Sequence, residues 1–195
     1  MSRAAVAVVA VALALSACSG GGSEPAARPS TVAPTPLSEL ATGTLTAARA
    51  DFCSQVAPTA VEDALGTEPD ATDAWANGDR AQLAEGVTDV AHEYGCRWRA
   101  SDGTTAQGWV FAPPVTPGQA ERLRHAATAA DGCRAVPDAP PFGSRSVAVR
   151  CDDGTTSYHG LFGDAWLSCS LTASGPDALD RAGRWCVTVA QAATA

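Results

Sequence analysis

The sequence predicts an α+β domain: an antiparallel sheet of about five strands, built from two β-hairpin–helix repeats, with helices on one face and three disulfides. Three observations carry this. Two segments share one plan, Cys96-Arg-Trp-Arg-Ala-Ser-Asp-Gly-Thr-Thr and Cys151-Asp-Asp-Gly-Thr-Thr. Each runs on into an apolar, strand-like stretch, a helical pattern and another cysteine. The cysteines Cys53, Cys96, Cys133, Cys151, Cys169 and Cys186 form an even set, spread over the region that carries these patterns.

In chain order, a first helix is expected over about residues 59–65, with Glu62 as capping partner and Gly66 as its stop. Asp102-Gly103 and Asp153-Gly154 each sit between strand-like flanks, the strongest short hairpin signal, because a two-residue type I′ turn needs positive φ at both central positions. Such a turn sets the register. In the first hairpin Trp98 would face Gln107, Cys96 would face Trp109 and Tyr94 would face Phe111, leaving Arg97 and Arg99 on the other side. In the second, Val149 would face Tyr158 and Val147 would face Gly160, with Arg150, Ser157 and His159 opposite.

Helices then cover the apolar face. Thr116-Pro117-Gly118-Gln119 offers an N-cap, a proline at the first helical position and a capping-box Gln. Ala120, Leu123, Ala127 and Ala130 follow at helical spacing, and Gly132 supplies the stop. In residues 165–171, Ala165, Leu167, Cys169 and Leu171 share one face of a strand. The last helix begins near Asp177 and carries Leu179, Ala182, Cys186 and Val189 on one stripe, so Cys169 and Cys186 point into one interface and are paired. Sequential pairing of Cys53 with Cys96 and Cys133 with Cys151 is the simplest completion, one of fifteen connectivities.

The amino-terminal segment reads as an address. Arg3 opens a short positive region and residues 4–15 are unbroken apolar, too short to span a bilayer as a helix. Leu15-Ser16-Ala17-Cys18 resembles the lipobox of bacterial lipoproteins, which implies cleavage after residue 17 and diacylglycerol on Cys18. That use of Cys18 accounts for the odd total of seven cysteines and puts the other six in an oxidising compartment. Residues 18–40, rich in Gly, Ser, Pro and Thr, read as the lipidated cysteine and a flexible tether. Residues 41–195 form the extracytoplasmic domain, held at the outer face of the cytoplasmic membrane.

All thirteen basic residues are arginine against twenty-one acids, for a formal charge of −8. Lysine chemistry is excluded, and nucleic acid is a poor partner for such a surface. Asp51-Phe-Cys53, then residues 56–66 ending in Leu65-Gly66, then Cys96-Arg-Trp98, resembles uncharacterised actinobacterial lipoproteins with a D-x-C…L-G…C-x-W pattern behind a lipobox. That family is similar in plan to extracytoplasmic sensor domains. The resemblance implies a disulfide-bonded α+β sheet and supplies no active site.

Catalytic and metal patterns are missing. His92-Glu-Tyr-Gly-Cys96 opens like a zincin helix but lacks the second histidine, and the acidic loop with Asp70, Asp73, Asn77 and Asp79 lacks EF-hand spacing. Trp98 and Trp109 are expected in the core; Trp75, in a polar loop, and Trp166, opposite the apolar face, are the exceptions. The remaining candidate is a basic stripe of Arg97, Arg99, Arg150 and His159 on the outer sheet face, with Gly108 leaving room between strands. Guanidinium forks suit carboxylate or phosphate, so the stripe would hold an anionic small molecule, a cell-wall fragment or an acidic envelope protein. The functional expectation is a lipid-anchored binding or accessory, sensor-like module without cofactor or metal and without enzymatic activity. The alternatives are a structural or interaction protein of the cell wall and, behind that, a hydrolase.

Overall fold

The chain forms an α+β unit with three disulfides, but the sheet is wider than expected and helices lie on both of its faces. The computed structural model describes residues 35–84 and 86–194. The segments expected to be leader and tether, with Cys18, lie outside the described residues as far as residue 34. The regular elements are α1 (Pro58–Leu65), β1 (Ala71–Trp75), β2 (Arg80–Ala84), β3 (Val87–Val90), β4 (Glu93–Arg99), β5 (Thr105–Phe111), α2 (Pro117–Ala129), β6 (Cys133–Ala135), β7 (Ser144–Cys151), β8 (Thr155–Phe162), β9 (Ala165–Thr172) and α3 (Ala178–Ala193). Seven strands make one sheet in the order β1-β4-β5-β9-β8-β7-β6, every pair antiparallel. Strands β2 and β3 pair only with each other, as a separate ribbon.

Both expected hairpins exist, β4–β5 and β7–β8, but they are not hairpin–helix repeats of a five-stranded sheet. Strand β9 lies between them, and β1 and β6 widen the two edges. The turns also differ from expectation. The Gly103 amide donates to the Ala100 carbonyl at 3.1 Å, and the Ala100 amide to the Thr104 carbonyl at 2.9 Å, so the loop has three residues. Only its last, Gly103, has positive φ, at 90°, and Gly154 repeats this at 86°. This is a type I turn followed by a left-handed glycine, the next most common hairpin loop after the two-residue forms. The added residue slides each register by one.

A one-residue slip turns the whole of one strand over, because side chains alternate with a period of two. Trp98 therefore faces Ala106, Cys96 faces Gly108 and Tyr94 faces Val110. Trp109 moves to the face opposite Trp98. In the second hairpin Ala148 faces Tyr158, Arg150 faces Thr156 and Val147 faces His159. The valines thus leave the face they were assigned, and Arg150 leaves the face of His159.

The main core fills the space between the sheet and α3 with α1. Helix α3 presents Ala182, Trp185, Cys186, Val189 and Ala190, all at most 1% exposed, to Cys96, Val110, Leu167, Cys169 and Leu171. Trp98 and Trp185 meet edge to face with centroids 5.3 Å apart, which adds about 0.5–1.5 kcal/mol to their burial. Gly108 lies on this inner face, where a Cβ would stand 3.0 Å from both Val189 methyls, so it admits the helix and leaves no gap on the outer face. Leu37, within the stretch assigned to the tether, is 4% exposed in this core. Helix α1 starts at Pro58 and stops at left-handed Gly66 as expected, but its N-cap is Ala57 and Glu62 makes no cap.

The three disulfides join Cys53 to Cys96, Cys133 to Cys151 and Cys169 to Cys186. They tie the segment before α1 to β4, β6 to β7, and β9 to α3. Each closure stabilises by about 2–4 kcal/mol, chiefly by restricting the unfolded chain. Helix α2 has the expected capping box, with the Gln119 amide donating to Thr116 Oγ1 and the Thr116 amide donating back to Gln119 Oε1. It lies on the other face from α3, where Ala120 and Leu123 pack on Leu161 and Trp166. The inner face is filled by α3 with α1, so α2, which carries the chain from β5 to β6 at the far edge, crosses the other one. Its apolar stripe is thin, with Ala120 its one buried residue among those described, and it packs mainly on the β6–β8 end, reaching Trp166 of β9.

Candidate functional site

The part of the outer face that α2 leaves open is a grid fixed by strand register. One row reads Trp75, Gly95, Trp109, Ser168, His159 across β1, β4, β5, β9 and β8. The next reads Asp73, Arg97, Gln107, Ser170, Ser157. Five neighbouring strands therefore present serine, glutamine, histidine, an ion pair and two indoles on one surface.

At the β1 end, Trp75 lies flat across Gly95. A Cβ on Gly95 would stand 2.4 Å from the indole, so glycine is required for the ring to rest there. The indole Nε1 donates to Glu93 Oε1 at 3.2 Å, and the Arg97 guanidinium sits 6.0 Å from the ring centroid. Burial raises the Glu93 carboxyl above its ordinary value, opposed by the Trp75 hydrogen bond and by His92. Arg97 is 8% exposed and donates through Nε and Nη2 to Asp73 Oδ2, which Arg99 also reaches at 2.9 Å. Both guanidinium groups thus converge on one carboxylate. The ribbon β2–β3 flanks this end, and a cavity of about 380 Å³ lies among Asp73, Trp75, Asp79, Arg80, Gln82 and Arg97. Val87 and Val90 of the ribbon are 51% and 41% exposed.

At the β8 end, His159 is held between two indoles. Trp109 meets it edge-on with centroids 6.1 Å apart, and Trp166 stacks on it at 6.4 Å. Its Nδ1 bonds Ser168 Oγ at 2.8 Å and its Nε2 bonds Ser157 Oγ at 3.0 Å. Desolvation lowers its pKa from 6.5 to about 4, so the ring is neutral at physiological pH. In the middle, Trp109, Gln107 and Ser170 are partly exposed, and their side-chain donors and acceptors have no hydrogen-bond partner among the described residues.

The expected stripe is therefore taken apart. Arg97 and Arg99 are together but share the single carboxylate of Asp73, which offsets one of their two charges; His159 shares their face as a neutral ring; Arg150 lies on the opposite face, exposed at the β7 end. Cys18 lies outside the described residues. Trp75 is in an edge strand and 5% exposed, not in a loop, and Asp73 of the acidic segment serves the arginines. No group of three or more metal-ligating side chains occurs among the described residues. The alternation in Ala71-Thr72-Asp73-Ala74-Trp75 was the available signal for β1, and with it for Asp73 as partner of Arg97. No family model, curated protein or solved structure matches the chain.

Proposed function

We propose that the protein is a membrane-anchored extracytoplasmic lipoprotein whose folded unit is a binding or accessory module at the cell envelope, and that the open sheet face is its recognition surface. The observation that carries this is the strip Trp109, Gln107, Ser170: partly exposed hydrogen-bonding groups without internal partners among the described residues beside an indole, on the face of β5 and β9 turned away from α3. The strip itself carries no charged side chain, and Arg97 and Arg99 beside it are both engaged by Asp73. It suits the hydroxyl-rich glycan part of a cell-wall fragment better than a phosphate. Indole rings offer a flat apolar surface to sugar C–H faces while amide and hydroxyl groups meet the ring substituents.

The module acts by binding, not catalysis. Ser157 and Ser168 occupy both nitrogens of His159, so no carboxylate orients the ring, and a ring with a pKa of about 4 is a weak base for activating a hydroxyl. A second reading, an interaction protein of the cell wall, is favoured by the exposed Val87 and Val90 on the ribbon.

Titration of the full-length protein in detergent with soluble peptidoglycan fragments tests the first reading. Trp109→Ala and Gln107→Ala each weaken binding about tenfold or more, whereas Val87→Ser with Val90→Ser leaves it unchanged. The reverse pattern selects the second reading, and no binding in any form removes the first. The anchor is tested separately, since Cys18→Ser releases the protein from the membrane fraction.

A further inference from the structure

We propose that the cavity between the two hairpin turns and the first turn of α3 is a binding site for a small zwitterion, a free α-amino acid. It is distinct from the open sheet face and rests on different residues. The cavity has a volume of about 390 Å³ and is lined by Asp102, Thr104, Asp153, Ser174 and Arg181, with Leu65 of α1 at its side. That volume is within the range of small-molecule sites.

Arg181 is the first part of the argument. The other wholly or partly buried arginines, Arg97, Arg99, Arg124 and Arg184, each pair with a carboxylate. Arg181 is also partly buried, yet it has no ion pair or side-chain hydrogen bond among the described residues, and its Nε is wholly buried without an acceptor. The terminal nitrogens of this guanidinium also lack a partner among the described residues and, unlike Nε, are not closed off, on a side chain that lines the cavity, so an acceptor from outside the chain fits this position. Guanidinium geometry matches a carboxylate.

The two aspartates are the second part. Each spends Oδ1 on its own turn: Asp102 accepts from the Thr104 amide and Asp153 from the Thr155 amide, both at 2.8 Å. Neither is in an ion pair among the described residues, so the second oxygen of each is available to a donor at the cavity rim. Hydrogen bonds from Thr104 hold the Asp102 carboxyl below its ordinary value, and the positive charge of Arg181 adds to this. A simple anion would meet Arg181 but be repelled by two carboxylates, and a simple cation would meet the carboxylates but be repelled by Arg181. A molecule bearing carboxylate and ammonium on one carbon satisfies both ends, its carboxylate on Arg181 and its ammonium toward Asp102 and Asp153.

The test is calorimetric titration of the full-length protein in detergent with three matched probes: alanine, propionate, which lacks the ammonium, and ethylamine, which lacks the carboxylate. Alanine binds, and the other two bind at least about tenfold more weakly. Arg181→Gln weakens alanine by a similar factor. Asp102→Asn with Asp153→Asn does the same while keeping the side-chain oxygen that each turn uses, so it reads charge even if the Arg181 variant folds poorly. Trp109→Ala leaves alanine binding unchanged. Equal binding of propionate and alanine overturns the proposal in favour of an anion site; equal binding of ethylamine overturns it in favour of a cation site. No heat with any probe means that water alone solvates Arg181, and the proposal fails.

Discussion

Lowering the pH should cost this protein stability through one ring. His159 is held neutral in the fold, with its pKa lowered from 6.5 to about 4 by desolvation. Between those values the unfolded chain takes a proton that the folded chain refuses, so stability falls as pH falls from about 6.5 towards 4 and levels off below that. Each pH unit in the window is worth about 1.4 kcal/mol, which sets a ceiling of ~3 kcal/mol; residual solvent contact of the ring brings the expected loss to about 1–2 kcal/mol. Glu93 works the other way. Its raised pKa favours the fold while the carboxyl is protonated, and that contribution is lost as pH rises through its folded value. The comparison must therefore isolate the ring. Urea unfolding with disulfides intact, followed by tryptophan fluorescence, is measured from about pH 7.5 to about pH 4 for the protein and for His159→Gln. The variant is less stable throughout, but the gap narrows on acidification by about 1–2 kcal/mol. A gap of constant size across the window would refute the account of His159 as a buried neutral ring between Ser157 and Ser168.

Two further outcomes follow from close approaches. In Gly160→Ala the new Cβ would stand 1.5 Å from the Phe142 carbonyl oxygen, a backbone atom, so β8 and the segment at 142–143 must part. The expected cost is about 3 kcal/mol or more in urea unfolding, against about 1 kcal/mol for Gly108→Ala, whose 3.0 Å neighbours are the methyls of one valine. Gly95→Ala displaces the Trp75 indole and breaks its bond to Glu93, costing about 1–3 kcal/mol. The same change made on a Trp75→Ala background costs clearly less, because both act on one contact; additive costs in that double-mutant cycle would show that the ring does not rest on Gly95.

The chemistry of single positions was legible in the sequence. Thr116, Pro117 and Gln119 specify a capped helix start, Gly66 specifies a stop, and the two Asp-Gly pairs specify where the chain reverses. The even cysteine set and the shared face of Cys169 and Cys186 led to the observed bridges. These are local properties, set by the conformational range of one to four residues. The candidate site was legible only in its residue types. Arg97, Arg99 and His159 do share a face, but what they do there depends on Asp73, Ser157 and Ser168, brought from other strands.

Which face each strand buries was decided by the tertiary structure. Asp-Gly serves a two-residue loop and a three-residue loop almost equally, and the first expectation already gave coherent apolar faces. The choice between them rests on what packs beneath: Ala106, Gly108 and Val110 give α3 a low surface, where Gln107 and Trp109 would hold it away. A difference of one residue in a turn costs little locally, yet through the two-residue period of a strand it reverses the side on which every following side chain falls. Strand order, the crossing of α2 to the far face and the insertion of β9 between the hairpins depend likewise on contacts distant in sequence. A period read along the chain carries no record of which strand lies alongside.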